Sequence, residues 1–262
     1  MDKRQTWAGC GAVAAGIVAA GAALDAARAR RGRASLAAAA LAGAYLGGTF
    51  SERSSLFGRV ARMRRDAGLF ALTFDDGPDP RFTPRISRIL ADRGHRATFF
   101  VLGRAVEQYP ELACALLDDG HELASHGDDH RLLAFAPPRE VRRQLARTEH
   151  AVRAATGSPP ARLFRAPHGV RSPWLVRTVQ RRGYQVCAWD GAVFDTSRPG
   201  SQVIAGRVVD LLAPGAVILL HDGDGSGGGA SREQTVAALP SILDRAERAG
   251  LRSVCVSELA DR

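Results

Sequence analysis

The chain has 262 residues, 45% hydrophobic and 24% charged, enough to bury a full core in one catalytic domain with an appendage. Its four cysteines, Cys10, Cys114, Cys187 and Cys255, are too scattered for a disulfide framework or a zinc ribbon. The net charge of +9 is uneven: residues 1–65 hold eleven Lys/Arg against three Asp/Glu, whereas residues 66–262 hold twenty-five against twenty-four.

The basic excess therefore belongs to the N-terminal segment, where it suits anionic lipid headgroups better than a phosphate backbone, and no nucleic-acid partner is expected. Two charge-free stretches, Trp7 to Leu24 and Ala34 to Phe50, flank the turn that carries Arg28, Arg30, Arg31 and Arg33. Each is about one bilayer long, although rich in Ala and Gly, which insert weakly. Residues 1–65 read as a membrane-anchoring or signal region: a close-packed hairpin, a single signal-anchor or a cleaved signal, with two Ala-rich soluble helices as the alternative.

From Gly68 the texture changes to short apolar runs alternating with amphipathic stretches, the pattern of an α/β protein with a parallel sheet. Seven strands are expected, at Leu69–Phe74, Ala97–Val101, Glu122–Ser125, Leu163–Arg165, Tyr184–Trp189, Ala216–Leu220 and Arg252–Val256. Helices are expected at Pro84–Arg93, Pro110–Asp119, Pro138–Thr156, Pro173–Arg182, Ser201–Leu212 and Glu233–Ala249. Several open on proline, and Gly94, Gly120, Gly157, Gly183 and Gly250 stand where left-handed C-terminal caps would sit. The run Gly223 to Gly229 lacks the spacing of a phosphate loop and reads as a surface loop.

Most of the conspicuous polar residues follow a strand: Asp75 and Asp76, His126 and His130, Arg165, Asp190 and Asp195, and His221. In parallel β/α barrels such positions share one rim. Asp75 and Asp76 run into Gly77-Pro78; adjacent carboxylates suit a cation that neutralises one and leaves the other as a base, although Asp before Gly-Pro is also a common turn. His126 and His130, four apart, with a carboxylate suit zinc with one coordination position open, or else decorate the surface. Arg165 could orient a carboxylate, and His221 at a strand mouth could act as an acid or be structural.

In order, Thr-Phe-Asp-Asp-Gly-Pro at 73–78, His126-x-x-x-His130, Arg165-Ala-Pro-His-Gly169, Trp189-Asp190 through Asp195, and Leu220-His221-Asp222 resemble the polysaccharide deacetylase family, the NodB-homology carbohydrate esterases. The resemblance runs from about Gly68 to the C-terminus and implies a distorted, TIM-like (β/α)7 barrel over 66–262. It further implies Asp75 as general base, Asp76, His126 and His130 as ligands of a divalent metal, usually Zn2+, and Arg165 as the residue that steers the base. Asp195 would partner the acid His221, Pro167 and His168 would form a groove wall with an oxyanion donor, Trp189 would contact substrate, and Ile218 and Leu220 would line the acetyl-methyl pocket. Gly127 departs from the family's usual Ser or Thr, and Thr196 from its tryptophan.

The expectation is thus a membrane-anchored, metal-dependent N-deacetylase with a monomeric catalytic domain outside the cytoplasmic membrane, releasing acetate from N-acetylglucosamine-containing glycan such as peptidoglycan or chitin. A lipid-linked amino sugar or an O-acetyl xylan-type ester is the alternative substrate, and an inactive glycan-binding protein is the non-enzymatic alternative.

Overall fold

The computed structural model describes residue 43 and residues 68–225 and 229–259. Apart from residue 43, the predicted stretches at 7–24 and 34–50, and the expected domain boundary after residue 65, lie outside the described residues. No helix of the described residues is long and apolar enough to cross a membrane.

The first strand, β1 (Leu69–Asp75), is buried along nearly its whole length and anchors the sheet. After it come α1 (Thr83–Ala91), β2 (Ala97–Val101), α2 (Gly103–Gln108), α3 (Pro110–Asp118), β3 (Glu122–Ser125), α4 (Pro138–Thr156) and β4 (Leu163–Phe164). The chain continues through α5 (Pro173–Gln180), β5 (Gln185–Val186), β6 (Gly191–Ala192), α6 (Ser201–Val209), β7 (Val217–His221), α7 (Glu233–Arg248), β8 (Arg252–Ser253) and α8 (Val256–Leu259). Among the described residues all strand pairings are parallel, in the order β5-β4-β3-β2-β1-β7-β6, with β8 on the first residues of β1. This curled sheet of parallel strands with helical crossovers is consistent with a (β/α)7 barrel.

Two apolar layers hold it. Phe70, Leu72 and Phe74 pack outward with Ile86 and Leu90 of α1 and Leu239 and Ile242 of α7, while Ala71 joins Phe100, Ala124 and Val217 in a second cluster that Val256 and Leu259 complete. Helix α4 illustrates the outer layer: Val141, Gln144, Leu145, Thr148, Ala151 and Val152 recur at three- and four-residue steps and are all buried. Gly157 ends it at φ 76°, its N–H on the Arg153 carbonyl; Gly94, Gly120, Gly183 and Gly250 likewise have positive φ, as the cap pattern predicts.

The differences from the expected elements are local. The strand expected at 184–189 is only Gln185–Val186, and the chain then re-enters the sheet as β6 beside β7. The strand expected at 252–256 stops at Ser253, and Val256 opens a helix. Helix α7 runs through Pro240, whose missing N–H its packing tolerates.

Candidate active site

Strand register puts the first two site residues opposite each other. Asp75, the last residue of β1, is the register partner of His221, the last of β7, so the two project from one face of adjacent strands about 5 Å apart. The Asp75 carboxylate is almost fully buried. Its Oδ1 accepts from Arg165 Nη1 at 2.8 Å, and its Oδ2 lies 3.7 Å from His126 Nε2.

Arg165 follows β4 and has no exposed surface. Its Nη1 also donates to Thr73 Oγ1 at 2.7 Å, its guanidinium carbon lies 4.0 Å from the centre of the Phe100 ring and 5.5 Å from that of Trp189, and its Nη2 reaches the Cys187 thiol at 3.6 Å. A planar cation clamped in this way presents one donor to one carboxylate oxygen and leaves the other oxygen free.

Asp76 has a φ of +80°, a left-handed conformation that a non-glycine residue rarely adopts. His130 and His168 share that region at φ 60° and 61°, so three of the five such residues among those described gather here, as backbone strain often does at functional sites. His126 Nε2 and His130 Nε2 lie 3.4 and 3.0 Å from Asp76 Oδ1, and the ligand atoms of the three residues all fall within 4.8 Å of one another. Burial raises the Asp76 carboxyl, but the two imidazoles, with His221 farther off, outweigh it and hold the group well below the usual carboxylate range.

The cluster fits a divalent cation. Asp76 Oδ1 is buried and has no well-directed hydrogen bond, although two imidazole nitrogens point at it. His126 Nδ1 donates to the Arg165 carbonyl at 2.9 Å, which fixes the tautomer and leaves the Nε2 lone pair facing Asp76. One carboxylate and two imidazoles form a donor set that zinc accepts with a coordination position to spare.

His221 closes the opposite side. Its Nδ1 bonds Asp195 Oδ1 at 2.8 Å, while Asp195 Oδ2 accepts from the His221 backbone N–H at 3.0 Å and from Thr235 Oγ1 at 2.9 Å. Burial depresses the imidazole, but the Asp195 charge and hydrogen bond, with Asp76 and Asp75 behind them, push it up to about 8. Burial also opposes the charge on Asp195, and the His221 cation pulls that carboxyl below its ordinary value. Next in the chain, burial pushes the Asp222 carboxyl up to about 7 against the opposing Thr83 hydroxyl, which donates at 2.5 Å.

The other expected residues divide. His168 is exposed, donates from Nε2 to the His130 carbonyl at 3.1 Å and lays its ring 4.4 Å from that of His130; the preceding Pro167 is buried. Trp189 flanks Arg165 with a buried, unpaired Nε1. Ile218 and Leu220 are not brought to the site: they pair with Leu72 and Phe74, are fully buried and pack in the outer layer. A one-residue shift reverses the face of every strand side chain, and it is Leu219, paired with Thr73, that shares the face of His221. Asp190 is away from the rim, with its Oδ2 accepting from Val217 N at the start of β7.

Several supporting residues carried no sequence signal. Gln144, buried on α4, accepts from the backbone N–H groups of Asp128 at 2.7 Å and Asp129 at 3.3 Å, bracing the histidine loop beside Gly127, which carries no hydroxyl of its own. Thr73 is partly legible, because it opens the Thr-Phe-Asp-Asp motif; Thr235 is forty positions from the carboxylate it serves.

Residues 62–187 match the family described as polysaccharide deacetylase. A chitooligosaccharide deacetylase of Sinorhizobium fredii is 38% identical over 195 residues, 71% of this chain and 91% of that relative. A peptidoglycan-N-acetylglucosamine deacetylase of Bacillus cereus is 34% identical over 193 residues, 73% and 87% of the two chains. Among solved structures, a peptidoglycan N-acetylglucosamine deacetylase bound to an N-hydroxybenzamide superposes with a TM-score of 0.72 at 27% identity, covering 77% of this chain and 92% of that one. Sequence likeness over more than two thirds of the chain and the arrangement around Asp75 agree: this chain belongs to the polysaccharide deacetylase family.

Proposed function

We propose that the protein is a zinc-dependent N-deacetylase that hydrolyses acetamido groups of N-acetylglucosamine-containing glycan, releasing acetate and a free amino sugar. The observation that carries this reading is the pairing of Asp75, bound by Arg165 at one oxygen only, with His221, held by Asp195, across two adjacent strands, beside the Asp76–His126–His130 cluster.

Asp76, His126 and His130 would hold the cation. When bound, it supplies Lewis-acid polarisation of the acetamide carbonyl and makes a water easier to deprotonate. Asp75 Oδ2, the oxygen that Arg165 leaves free, takes the proton from the attacking water, while Arg165 keeps Oδ1 in place. His221 then donates from Nε2 to the departing nitrogen, its Nδ1 held by Asp195 Oδ1.

This built acid is what favours an amide over an O-acetyl ester. An alkoxide can leave an ester with little help, whereas an amine must be protonated to leave. The substrate class is further supported by the exposed aromatic residues: Phe135, Trp174 and Phe194 all lie on segments that follow β3, β4 and β6, where rings can stack on sugar faces. The N-terminal stretches support delivery to a membrane surface, with the catalytic domain outside the cytoplasmic membrane.

The test is acetate release from N-acetylglucosamine oligomers and peptidoglycan, set beside an O-acetylated xylan and a lipid-linked amino sugar. Rapid release from the first two, lost in Asp75→Asn, is expected. An enzyme that is inert on both and active on the ester would overturn the amide reading, and binding without release in the zinc-loaded wild type would return the protein to the glycan-binding class.

A further inference from the structure

Gly223 and Gly225, which precede the glycine-rich residues of the β7–α7 connection, pack directly against the cluster. A Cβ on Gly223 would stand 2.2 Å from the Asp76 carbonyl oxygen, and one on Gly225 would stand 2.6 Å from His130 Nδ1 and 2.7 Å from its Cγ. Both are closer than any side-chain carbon can approach. Only glycine fits here, and at Gly225 the φ of +64° independently favours it.

The segment is gripped at both ends. Arg232, fully buried on the N-terminal side of α7, donates from Nε to the Gly223 carbonyl at 2.6 Å, and Arg104 at the start of α2 donates from Nη2 to the Gly225 carbonyl. The His168 ring also lies against that of His130, with centroids 4.4 Å apart. The imidazole is therefore in contact with a histidine ring and with a loop backbone whose carbonyls two arginines hold. A ring so placed keeps its Nε2 aimed at Asp76 Oδ1.

We propose that Gly225 and Arg104 are positioning residues for His130, setting the affinity of the cluster for its cation through the placement of that one ring. The inference rests on the cation-binding reading of the cluster but not on the substrate. Residues that orient a metal-ligating histidine typically account for 10- to 100-fold in metal affinity.

The experiment titrates apo protein with Zn2+ against a chromophoric chelator. Gly225→Ala and Arg104→Ala are expected to weaken binding by about tenfold or more, with partial recovery in Arg104→Lys, which keeps a donor in place. Gly229→Ala is the control, because Gly229 has a similar left-handed φ of 77° but its Cβ would meet only Arg81 Nη1 at 3.6 Å. It imposes comparable backbone strain on the same connection without touching His130, and its affinity is expected to stay within about twofold of the wild type. Circular dichroism melts establish that each variant is folded.

Zinc affinity unchanged in Gly225→Ala, or weakened as much in Gly229→Ala, overturns the inference. His126→Ala that binds zinc as tightly as wild type overturns the cluster reading itself. Weakened zinc binding in Gly225→Ala and Arg104→Ala, in a protein that releases no acetate from any glycan, leaves the inference standing and removes the proposed function alone.

Discussion

The charge state of His221 is the most quantitative consequence of the site, and Asp195→Asn tests it. The wild-type imidazole is pushed up to about 8 against the depressing effect of its burial, and Asp195 supplies the two largest opposing contributions, its charge and its hydrogen bond. Asparagine preserves the shape and can still accept from Thr235 Oγ1, but it removes the charge. Burial then prevails, and the imidazole falls to its ordinary 6.5 or lower, a change of about 2 kcal/mol. At pH 8 the protonated fraction drops from about one half to about 3%, a loss of roughly fifteenfold, whereas at pH 6 it drops only from nearly all to about three quarters. A proton donor must be protonated, so the defect in kcat should be large at pH 8 and slight at pH 6. The assay is the pH profile of acetate release from wild type and variant, with the imidazole titration followed by NMR. Bound cation offsets the pull of Asp75 and Asp76, so the wild-type rate should fall at or somewhat below about pH 8. An Asp195→Asn enzyme whose rate declines at the same pH as the wild type would refute the reasoning.

Other consequences can be checked directly. Stability follows the same pair. His221, raised in the folded protein, contributes stability fully present below about pH 6.5 and lost as pH rises through about 8; Asp195, lowered when folded, contributes stability present above about 3.8 and lost as pH falls through its folded value. The gap in urea midpoint between wild type and Asp195→Asn should therefore be widest between about pH 4 and 6.5 and should close above about 8. Arg165→Ala leaves Asp75 buried without its partner and should cost about 3–5 kcal/mol in chemical denaturation, with Arg165→Lys intermediate. His221→Ala should abolish amide hydrolysis yet spare much of any turnover of an activated acetyl ester, because an ester's leaving group needs no proton. Leu219→Ala should raise KM for acetylated substrate, whereas Leu220→Ala should lower stability by about 2–5 kcal/mol with little effect on KM, as measured by kinetics and denaturation on the same preparations.

Asp75, Asp76, His126, His130, Arg165 and His221 could be located in the sequence because each ends or follows an apolar run, and their order alone carries the family. The five capping glycines were legible for a similar reason: each needs a conformation that other residues avoid, and each closes an amphipathic stretch. What could not be read is whatever depends on register or on distant partners. Val217-Ile218-Leu219-Leu220 is apolar throughout, as a strand buried on both faces must be, so no alternation distinguishes Leu219 from its neighbours. The two-residue strand β6 offers no period at all, and helix α2 begins on a glycine only one residue after a strand, without a side-chain cap. Gln144, Thr235 and Arg232 act on groups nine to forty positions away, contacts that only the folded chain brings together.

The most direct test joins metal content to chemistry. Purified protein stripped of metal and titrated with Zn2+ should bind one ion per chain, and acetate release from N-acetylglucosamine oligomers should rise in proportion to occupancy and stop at one equivalent. Asp76→Ala and His130→Ala should bind weakly and release little. Full acetate release by the metal-free protein, or by either variant without bound zinc, would contradict the account at its centre.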